Sequence, residues 1–121
     1  MTEIVDRYLC AIVEHDWEAF GSCLAEDVVR KGPFGDDYEP KGPYLEFISK
    51  LMPTLGGYSM RVDRIVDAGD VVVAELTETV EIGGKVFVTP EALVFDLGSD
   101  GLIQKIDIFI KPHRDPPASI A

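Results

Sequence analysis

The sequence predicts an α+β fold, with about three N-terminal helices packed on a curved, mostly antiparallel sheet. Two observations predict this fold. Apolar residues recur at helical spacing through roughly the first half of the chain, and long β-type runs separated by short glycine turns fill most of the rest. Helices that precede a series of antiparallel strands pack together on one face of the sheet.

Size and charge limit the classes of protein to which the chain can belong. At 121 residues it forms a single domain, which we place at residues 1–112, followed by a loose proline-rich tail at residues 113–121. Its 22 acidic and 11 basic residues give a net charge of −11, which repels nucleic acids and anionic membranes, so we expect neither partner. No apolar run is long enough to span a membrane and no basic leader precedes the first apolar residues, so we expect a cytoplasmic protein.

Two helices are predicted at the start of the chain. Residues 4–13 carry an apolar stripe at helical spacing, and Thr2 is available as the N-cap. His15 and Asp16 interrupt the pattern. Asp16 can then cap a second short helix over residues 17–24.

A short strand, a loop and a third helix follow. Val28 starts the strand, which runs into a loop rich in turn residues at positions 31–37. Pro43 suits the first position of a helix, whose apolar stripe covers residues 44–52. Pro53 ends this helix.

Consecutive strands are predicted from residue 58 to residue 111, and one turn fixes the register between two of them. Gly83 and Gly84 form a two-residue loop that favours a tight hairpin, with Ile82 opposite Lys85. The register that follows pairs Val80 with Phe87, Glu78 with Thr89, Leu76 with Glu91 and Ala74 with Leu93.

One face of this hairpin is apolar but includes two acids, Glu78 and Glu91. Opposed residues share a face because side chains alternate along a strand, and acids on an apolar face indicate a pocket. The other face is half polar, with Val86, Val88, Ala92 and Val94 among threonines and acids. The apolar members of the first face are Val72, Ala74, Leu76, Val80, Phe87, Leu93 and Phe95.

Two registers are open for the last strand. A four-residue loop at positions 98–101 pairs Leu93 with Ile106 and Glu91 with Ile108. We favour this register because it continues the apolar face. It turns Ile106, Ile108 and Ile110 inward, whereas a slip of one residue would turn in Lys105, Asp107 and Phe109.

Glu91 and Glu78 are the candidate catalytic residues, with Tyr8 as a hydrogen-bond donor. Burial raises the pKa of a carboxyl and a second carboxylate nearby raises it further, which suits one of the pair to acid–base work near neutral pH. Pro90 cannot donate to a strand ladder, so we expect a bulge or a local sheet edge beside Glu91. Alternatively, the Tyr8 hydroxyl bonds a core carbonyl, and either acid points to the rim or pairs with Arg61, Arg64 or Lys105.

The pattern points to a small, largely apolar ligand that carries a carbonyl, hydroxyl or epoxide. We expect no metal site because His15 and His113 lie far apart, and no cofactor because no phosphate-binding loop or nucleophilic triad is present. Both cysteines, Cys10 and Cys23, are expected to be buried thiols. The residues expected to line the pocket are Phe34, Leu76, Val80, Phe87, Thr89, Leu93, Phe95, Ile106, Ile108 and Ile110.

Three passages carry a resemblance to a known superfamily. They are RYL at residues 7–9 with HDW at 15–17; LAEDVV at 24–29 with GPFG at 32–35; and LTE at 76–78 with Pro90, VF at 94–95 and GLI at 101–103. The first two resemble SnoaL-like proteins and ketosteroid isomerase, and the third resembles ketosteroid isomerase and limonene epoxide hydrolase. All belong to the nuclear transport factor 2-like superfamily. The resemblance covers roughly residues 4–111 and implies a cone-shaped fold around a pocket.

The catalytic residues of these families match the chain only in part. Ketosteroid isomerase uses a helix tyrosine and a protonated aspartic acid as donors to an oxyanion, and an aspartate as base. The resemblance matches the tyrosine with Tyr8, the base with Gly32 and the acid with Leu93 or its neighbour. The catalytic residues of limonene epoxide hydrolase fall on Thr79, Glu81 and Ile108, and the acid of SnoaL-like cyclases also falls on Ile108.

Two functions therefore stay open. The first is a cofactor-free isomerase, cyclase or hydrolase that uses Glu91, Glu78 and Tyr8. The second is a non-catalytic ligand-binding or assembly domain that has lost the catalytic aspartates. In both cases we expect a homodimer through the half-polar outer face of the sheet, which is apolar enough to associate and which relatives use for pairing.

Overall fold

The structure, a computed structural model, describes residues 2–111 and confirms the predicted α+β class. The tail predicted at residues 113–121 lies outside the described residues. The elements are α1 (Glu3–Glu14), α2 (Trp17–Ser22), β1 (Leu24–Lys31), α3 (Lys41–Leu51), a 3₁₀ turn (Met52–Thr54), β2 (Gly56–Asp67), β3 (Val71–Ile82), β4 (Lys85–Leu97) and β5 (Ile103–Ile110).

The five strands form one curved sheet in the order β1-β5-β4-β3-β2. Strands β2 to β5 pair antiparallel with their neighbours, and β1 is parallel to β5. The helices cover one face of the sheet, and the core lies between the two layers. No helix within residues 2–111 is long and apolar enough to cross a membrane.

The ends of the first two helices follow the sequence prediction closely. His15 adopts a left-handed conformation (φ 56°) that ends α1, and Asp16 caps α2 by accepting a hydrogen bond from the Ala19 amide at 3.1 Å. Thr2 occupies the N-cap position of α1 as predicted, although its side chain makes no capping bond. The expectation that both cysteines are buried is wrong: Cys23 is buried, but Cys10 is exposed because it lies away from the buried stripe of α1.

Strand β1 begins earlier than predicted. The second helix ends at Ser22 rather than reaching Leu24, and Leu24 already belongs to β1. The cause is a pairing across the fold: Leu24 lies opposite Ile103, whose amide donates to the Cys23 carbonyl at 2.9 Å. A partner so distant in sequence outweighs the local helical pattern.

The register of the β3–β4 hairpin is confirmed residue for residue. Gly83 and Gly84 both have positive φ (58° and 79°), which the tight turn requires, and every predicted pair from Ile82–Lys85 to Ala74–Leu93 is present. Pro90 pairs with Thr77 without a bulge. It lies just beyond Glu91, the last β4 residue that pairs with β5, and its carbonyl still accepts a hydrogen bond from the Lys111 amide at 3.0 Å.

The predicted pairing of β5 is wrong by two residues. Leu93 lies opposite Ile108 and Glu91 opposite Ile110, because the turn closes on a hydrogen bond from Gly98 to the Leu102 carbonyl and an irregularity follows the Leu97–Ile103 pair. A shift of two residues leaves every side chain on its predicted face. The isoleucines of β5 therefore still face the same side as Leu93.

Candidate functional site

A cavity of about 320 Å³ lies between the helices and the concave face of the sheet. Helices α1 and α3 form one wall, strands β3 to β5 form the other, and the loop after β1 lies at the mouth. Most lining side chains are aliphatic or aromatic. The polar ones are Tyr8, Arg30, Tyr44, Glu78, Thr89 and Glu91.

The structure brings most of the residues predicted for the site to this cavity. Tyr8, Glu78 and Glu91 line it together. Of the ten residues expected to line the pocket, six do so: Phe34, Leu76, Thr89, Leu93, Ile108 and Ile110.

The other four predicted lining residues lie elsewhere on the same face of the sheet. Phe95 and Ile106 pair with each other and are completely buried, and Phe95 packs edge-on against the Tyr8 ring. The helices cover this part of the sheet and leave no space for a ligand. Val80 and Phe87 also pair with each other, but near the β3–β4 turn, beyond the cavity.

Glu78 and Glu91 form a pair of carboxyls on the sheet wall. Glu78 lies opposite Thr89, two residues from Glu91, so strand alternation gives both acids the same face. Burial raises the pKa of the Glu91 carboxyl, and its hydrogen bond with Glu78 and the charge of Glu78 raise it further. Glu91 therefore keeps its proton near neutral pH and can act as a hydrogen-bond donor.

Tyr58 fixes the Glu78 carboxyl from the neighbouring strand. Its hydroxyl donates a hydrogen bond to Glu78 Oε2. Burial and then the Glu78 charge raise the pKa of Tyr58, so the phenol remains protonated. The sequence analysis did not select Tyr58. Tyr58 lies two residues before Met60 on β2, so strand alternation places both on the same face. Met60 lines the cavity and pairs with Glu78, so this spacing was the signal that could have found Tyr58.

Tyr8 and Tyr44 form a second polar pair, on the helix wall. Their hydroxyl oxygens are 2.5 Å apart and both residues are fully buried. Burial raises the pKa of Tyr44 to about 12 and raises that of Tyr8 well above its ordinary value, so both stay protonated. Two hydroxyls carry two hydrogens and only one is used between them. Within residues 2–111 no other acceptor takes the second, which leaves it for a ligand oxygen.

Arg30, like Tyr44, is a polar residue of the cavity that was not predicted from the sequence. It follows the buried Val28 by two positions in β1, so alternation turns it inward, and only 9% of its surface is exposed. Its guanidinium lies 5.2 Å from the Phe47 ring centre and 5.9 Å from that of Tyr44. The side-chain pattern of β1 was the signal that could have found it.

Asp36, in the loop after β1, is the acidic partner of Arg30. Arg30 Nη1 donates to the Asp36 carbonyl at 2.6 Å and to Asp36 Oδ2 at 3.1 Å. The Asp36 side chain is 37% exposed, so solvent screens this ion pair. Arg30 Nε is buried and has no hydrogen-bond partner among the described residues.

Gly32 stands beside this ion pair, at the position that the resemblance matches with a catalytic base. A Cβ on Gly32 would lie 2.1 Å from Asp36 Oδ1 and 2.6 Å from Arg30 Nη1. The space that a side chain at position 32 would need is thus filled by Arg30 and Asp36. Leu93 and Ile108, the other two matched acid positions on this face, line the cavity as apolar residues.

No cluster of three or more metal-binding side chains occurs within the described part of the chain. The ionisable side chains that line the cavity are one arginine, two glutamates and two tyrosines. This set is suited to hydrogen bonding and to proton transfer with an otherwise apolar ligand.

The fold and the cavity define a domain of the cone-shaped α+β class with a largely apolar cavity between its helices and its sheet. The chain belongs to the family of SnoaL-like domains, whose sequence pattern matches residues 5–106. This assignment confirms the resemblance stated from the sequence. No curated protein sequence matches the chain.

Solved structures of related fold support the assignment. A proposed ketosteroid isomerase from Kribbella flavida has 22% identity and a TM-score of 0.79, over 95% of this chain and 80% of that one. A proposed polyketide cyclase from Pseudomonas putida has 26% identity and a TM-score of 0.74, over 89% of each chain. A Mycobacterium tuberculosis protein in complex with estradiol-17beta-hemisuccinate has 16% identity and a TM-score of 0.73, over 88% of this chain and 89% of that one.

Proposed function

We propose that the chain is a cofactor-free acid–base enzyme, an isomerase, cyclase or hydrolase, acting on a small, largely apolar molecule that carries oxygen. One observation carries the proposal: Glu78 and Glu91 interact on the wall of an apolar cavity, and Glu91 is held protonated there. Carboxyls with separated proton affinities can act as the acid and the base of one reaction.

The proposed roles follow from the hydrogen bonds. Glu78, which accepts from Tyr58, takes a proton from carbon, and Glu91 returns a proton to the product. The spare hydroxyl hydrogen of the Tyr8–Tyr44 pair donates to the substrate oxygen on which negative charge develops. The steroid ester bound by the Mycobacterium tuberculosis protein supports an apolar, oxygen-bearing class of ligand.

Exchange of carbon-bound hydrogen tests the proposal. The probe is 2-tetralone, an apolar bicyclic ketone, whose exchange in D₂O is followed by NMR. We expect the protein to accelerate exchange, and Glu78→Gln and Glu91→Gln each to lower the rate about 100-fold, as for loss of a general acid or base. Glu18→Gln, on the exposed side of α2, is the matched control and should leave the rate unchanged. Wild-type rates in both cavity variants would contradict the proposal.

The alternative, a non-catalytic ligand-binding or assembly domain, is favoured by a separate observation. Gly32, Leu93 and Ile108 carry no carboxyl, although the resemblance matches them with catalytic acids or bases. Such a domain would bind apolar ligands equally well in wild type and in Glu91→Gln, and would not accelerate exchange. Calorimetric titration with the same ketone separates the two functions.

We also propose that two copies of the chain pair through the outer face of the sheet. Val86 and Phe109 are 63% and 56% exposed there, and Val88 is also exposed. A groove of about 390 Å³ between Pro90, Ala92 and Phe109 offers a recess on the same face.

Sedimentation at micromolar concentration tests the pairing. We expect twice the 13.3 kDa monomer mass for wild type, and the monomer mass for a Val86→Glu, Phe109→Glu double variant. Val13→Glu, on the exposed side of α1, is the control and should remain dimeric. A monomeric wild type would contradict the proposal. The cytoplasmic location remains a prediction from the sequence, which microscopy of a fluorescent fusion would check.

A further inference from the structure

We propose that Arg30 binds the ligand oxygen that carries negative charge, so the cavity selects molecules whose oxygen is, or becomes, an enolate or phenolate. This inference rests on the proposed function in taking the cavity as the ligand site, and its account of the enolate also takes Glu78 as the base. It assigns to this chain a charged contact at a position that the sequence analysis did not consider.

Arg30 has more hydrogen-bond donors than its described protein partners use. A guanidinium has five N–H donors. Among the described residues, Nη1 bonds to Asp36, the guanidinium also interacts with the Tyr44 hydroxyl, and Nε is buried without an acceptor. Buried cations are costly unless acceptors surround them, so Arg30 has capacity for another acceptor within the cavity that it lines.

The positive charge of Arg30 and the two carboxyls lie on different strands of the cavity wall. Among the described residues that line the cavity, Arg30 is the only lysine or arginine. It belongs to β1 and lies over the Tyr44 ring, whereas Glu78 and Glu91 belong to β3 and β4. Burial raises the pKa of Tyr8, Tyr44 and Glu91, and the charge of Arg30 partly offsets this rise in all three, so its field reaches both polar pairs.

Proton transfer from a ketone to Glu78 would leave the net charge of the cavity unchanged. A neutral ketone between the two groups would present its carbon to Glu78 and its oxygen to Arg30 and the tyrosines. When Glu78 takes a proton from carbon, the C–H electron pair forms the enolate and the negative charge passes from Glu78 to the ligand oxygen. The net charge of the cavity is unchanged, and the new anion lies beside a cation.

Two probes of similar shape separate this role from a structural one. They are 4-nitrophenolate, an aryl oxide anion, and 4-nitrotoluene, its neutral counterpart; binding of each is measured by calorimetric titration at a pH where the phenol is ionised. Arg30→Met should weaken 4-nitrophenolate binding about tenfold or more, while 4-nitrotoluene binding changes less than about twofold. Arg30→Lys, which keeps the charge without the planar fork, should fall between the two. Arg61→Met, on an exposed arginine of β2, is the matched control and should alter neither affinity.

A second variant keeps Arg30 and changes its neutralising partner. Asp36→Asn should strengthen 4-nitrophenolate binding about two- to fivefold, because the guanidinium loses its anion, and should leave 4-nitrotoluene binding unchanged. This variant answers the question even where Arg30→Met fails to fold.

Three outcomes would overturn the inference. They are an equal loss of affinity for both probes in Arg30→Met, no change in affinity for either probe in both variants, or a wild type that binds neither probe. Loss of hydrogen exchange is a separate result. A protein that binds 4-nitrophenolate through Arg30 but exchanges no ketone hydrogen would retain this inference and lose the proposed enzyme function.

Discussion

Tyr58 and Glu78 are joined by a hydrogen bond across the β2–β3 strand pair, with the tyrosine hydroxyl as donor and Glu78 Oε2 as acceptor. Glu78 in turn interacts with Glu91. The three side chains therefore form a row in which the outer member supplies a hydrogen and the inner pair lines the cavity.

Tyr58→Phe removes the donor from this row. We expect the free energy of unfolding to fall by about 0.5–1.5 kcal/mol, because a half-buried carboxylate loses its partner. Chemical denaturation measures the loss, and 2-tetralone exchange should slow as well. Tyr38→Phe is the control, since the Tyr38 ring stacks on Phe47 away from the carboxyls. An unchanged exchange rate would show that Tyr58 does not position Glu78.

Glu91→Gln should change the pH dependence of stability. Because the pKa of Glu91 is raised in the folded state, its contribution to the free energy of unfolding is fully present below the unfolded pKa of about 4.5. This contribution is lost as pH rises through the folded pKa. Glutamine does not titrate, so the stability of the variant relative to wild type should increase as pH increases. At pH 8 we expect a gain of about 1 kcal/mol, or a rise in melting temperature of about 3–6 °C. A melting temperature below wild type at both pH 5 and pH 8 would identify Glu91 as a paired structural carboxylate.

The Tyr8–Tyr44 pair should behave as one unit. Tyr8→Phe and Tyr44→Phe each leave a buried hydroxyl without its partner, and each should cost about 1–2 kcal/mol. The double variant removes both hydroxyls, so its cost should be smaller than the sum by about 0.5 kcal/mol or more. Urea unfolding of the four proteins measures this coupling. Additive costs would show that the two hydroxyls do not interact in solution.

Gly32→Ala should destabilise the loop after β1. The added methyl would lie 2.1 Å from Asp36 Oδ1 and 2.6 Å from Arg30 Nη1, so both side-chain ends must shift and their ion pair is weakened. We expect a loss of about 1 kcal/mol. Gly21→Ala is the matched control, because its Cβ would meet Lys41 and Leu45 only at 3.5 and 3.6 Å and alanine favours the helix. Equal stability of the two variants would contradict the crowding at position 32.

Local sequence was enough for the hairpin and its acids. The Gly83–Gly84 turn fixes the register of β3 and β4 over twelve residue pairs, so the shared face of Glu78 and Glu91 could be predicted by counting. The β5 pairing could not be counted in this way, because its loop closes with an irregularity that depends on contacts with β1. The face was still predicted correctly because the error was an even number of residues.

The partners of the acids could not be predicted. Tyr58 and Glu78 are 20 residues apart in sequence, and Tyr8 and Tyr44 are 36 apart. The Tyr8–Tyr44 contact depends on how α1 and α3 lie on the sheet. The Tyr58–Glu78 contact depends on the register of β2 against β3, which shifts at two places. Arg30 was overlooked for a different reason: an inward arginine contradicts the expectation that charged residues of a strand face solvent.

The crowding at Gly32 limits the mutational routes open to this chain. An aspartate placed there, where the resemblance puts the base of ketosteroid isomerase, would meet Arg30 and Asp36 before it could reach a substrate. A single codon change at position 32 would therefore break one site without building the other. Arg30 and Asp36 would have to be replaced first, and the intermediate sequences would carry neither arrangement. An epistatic barrier therefore separates the arrangement with Arg30 and Asp36 from one with an aspartate at position 32. Variants that change positions 30, 32 and 36 one at a time would measure this barrier.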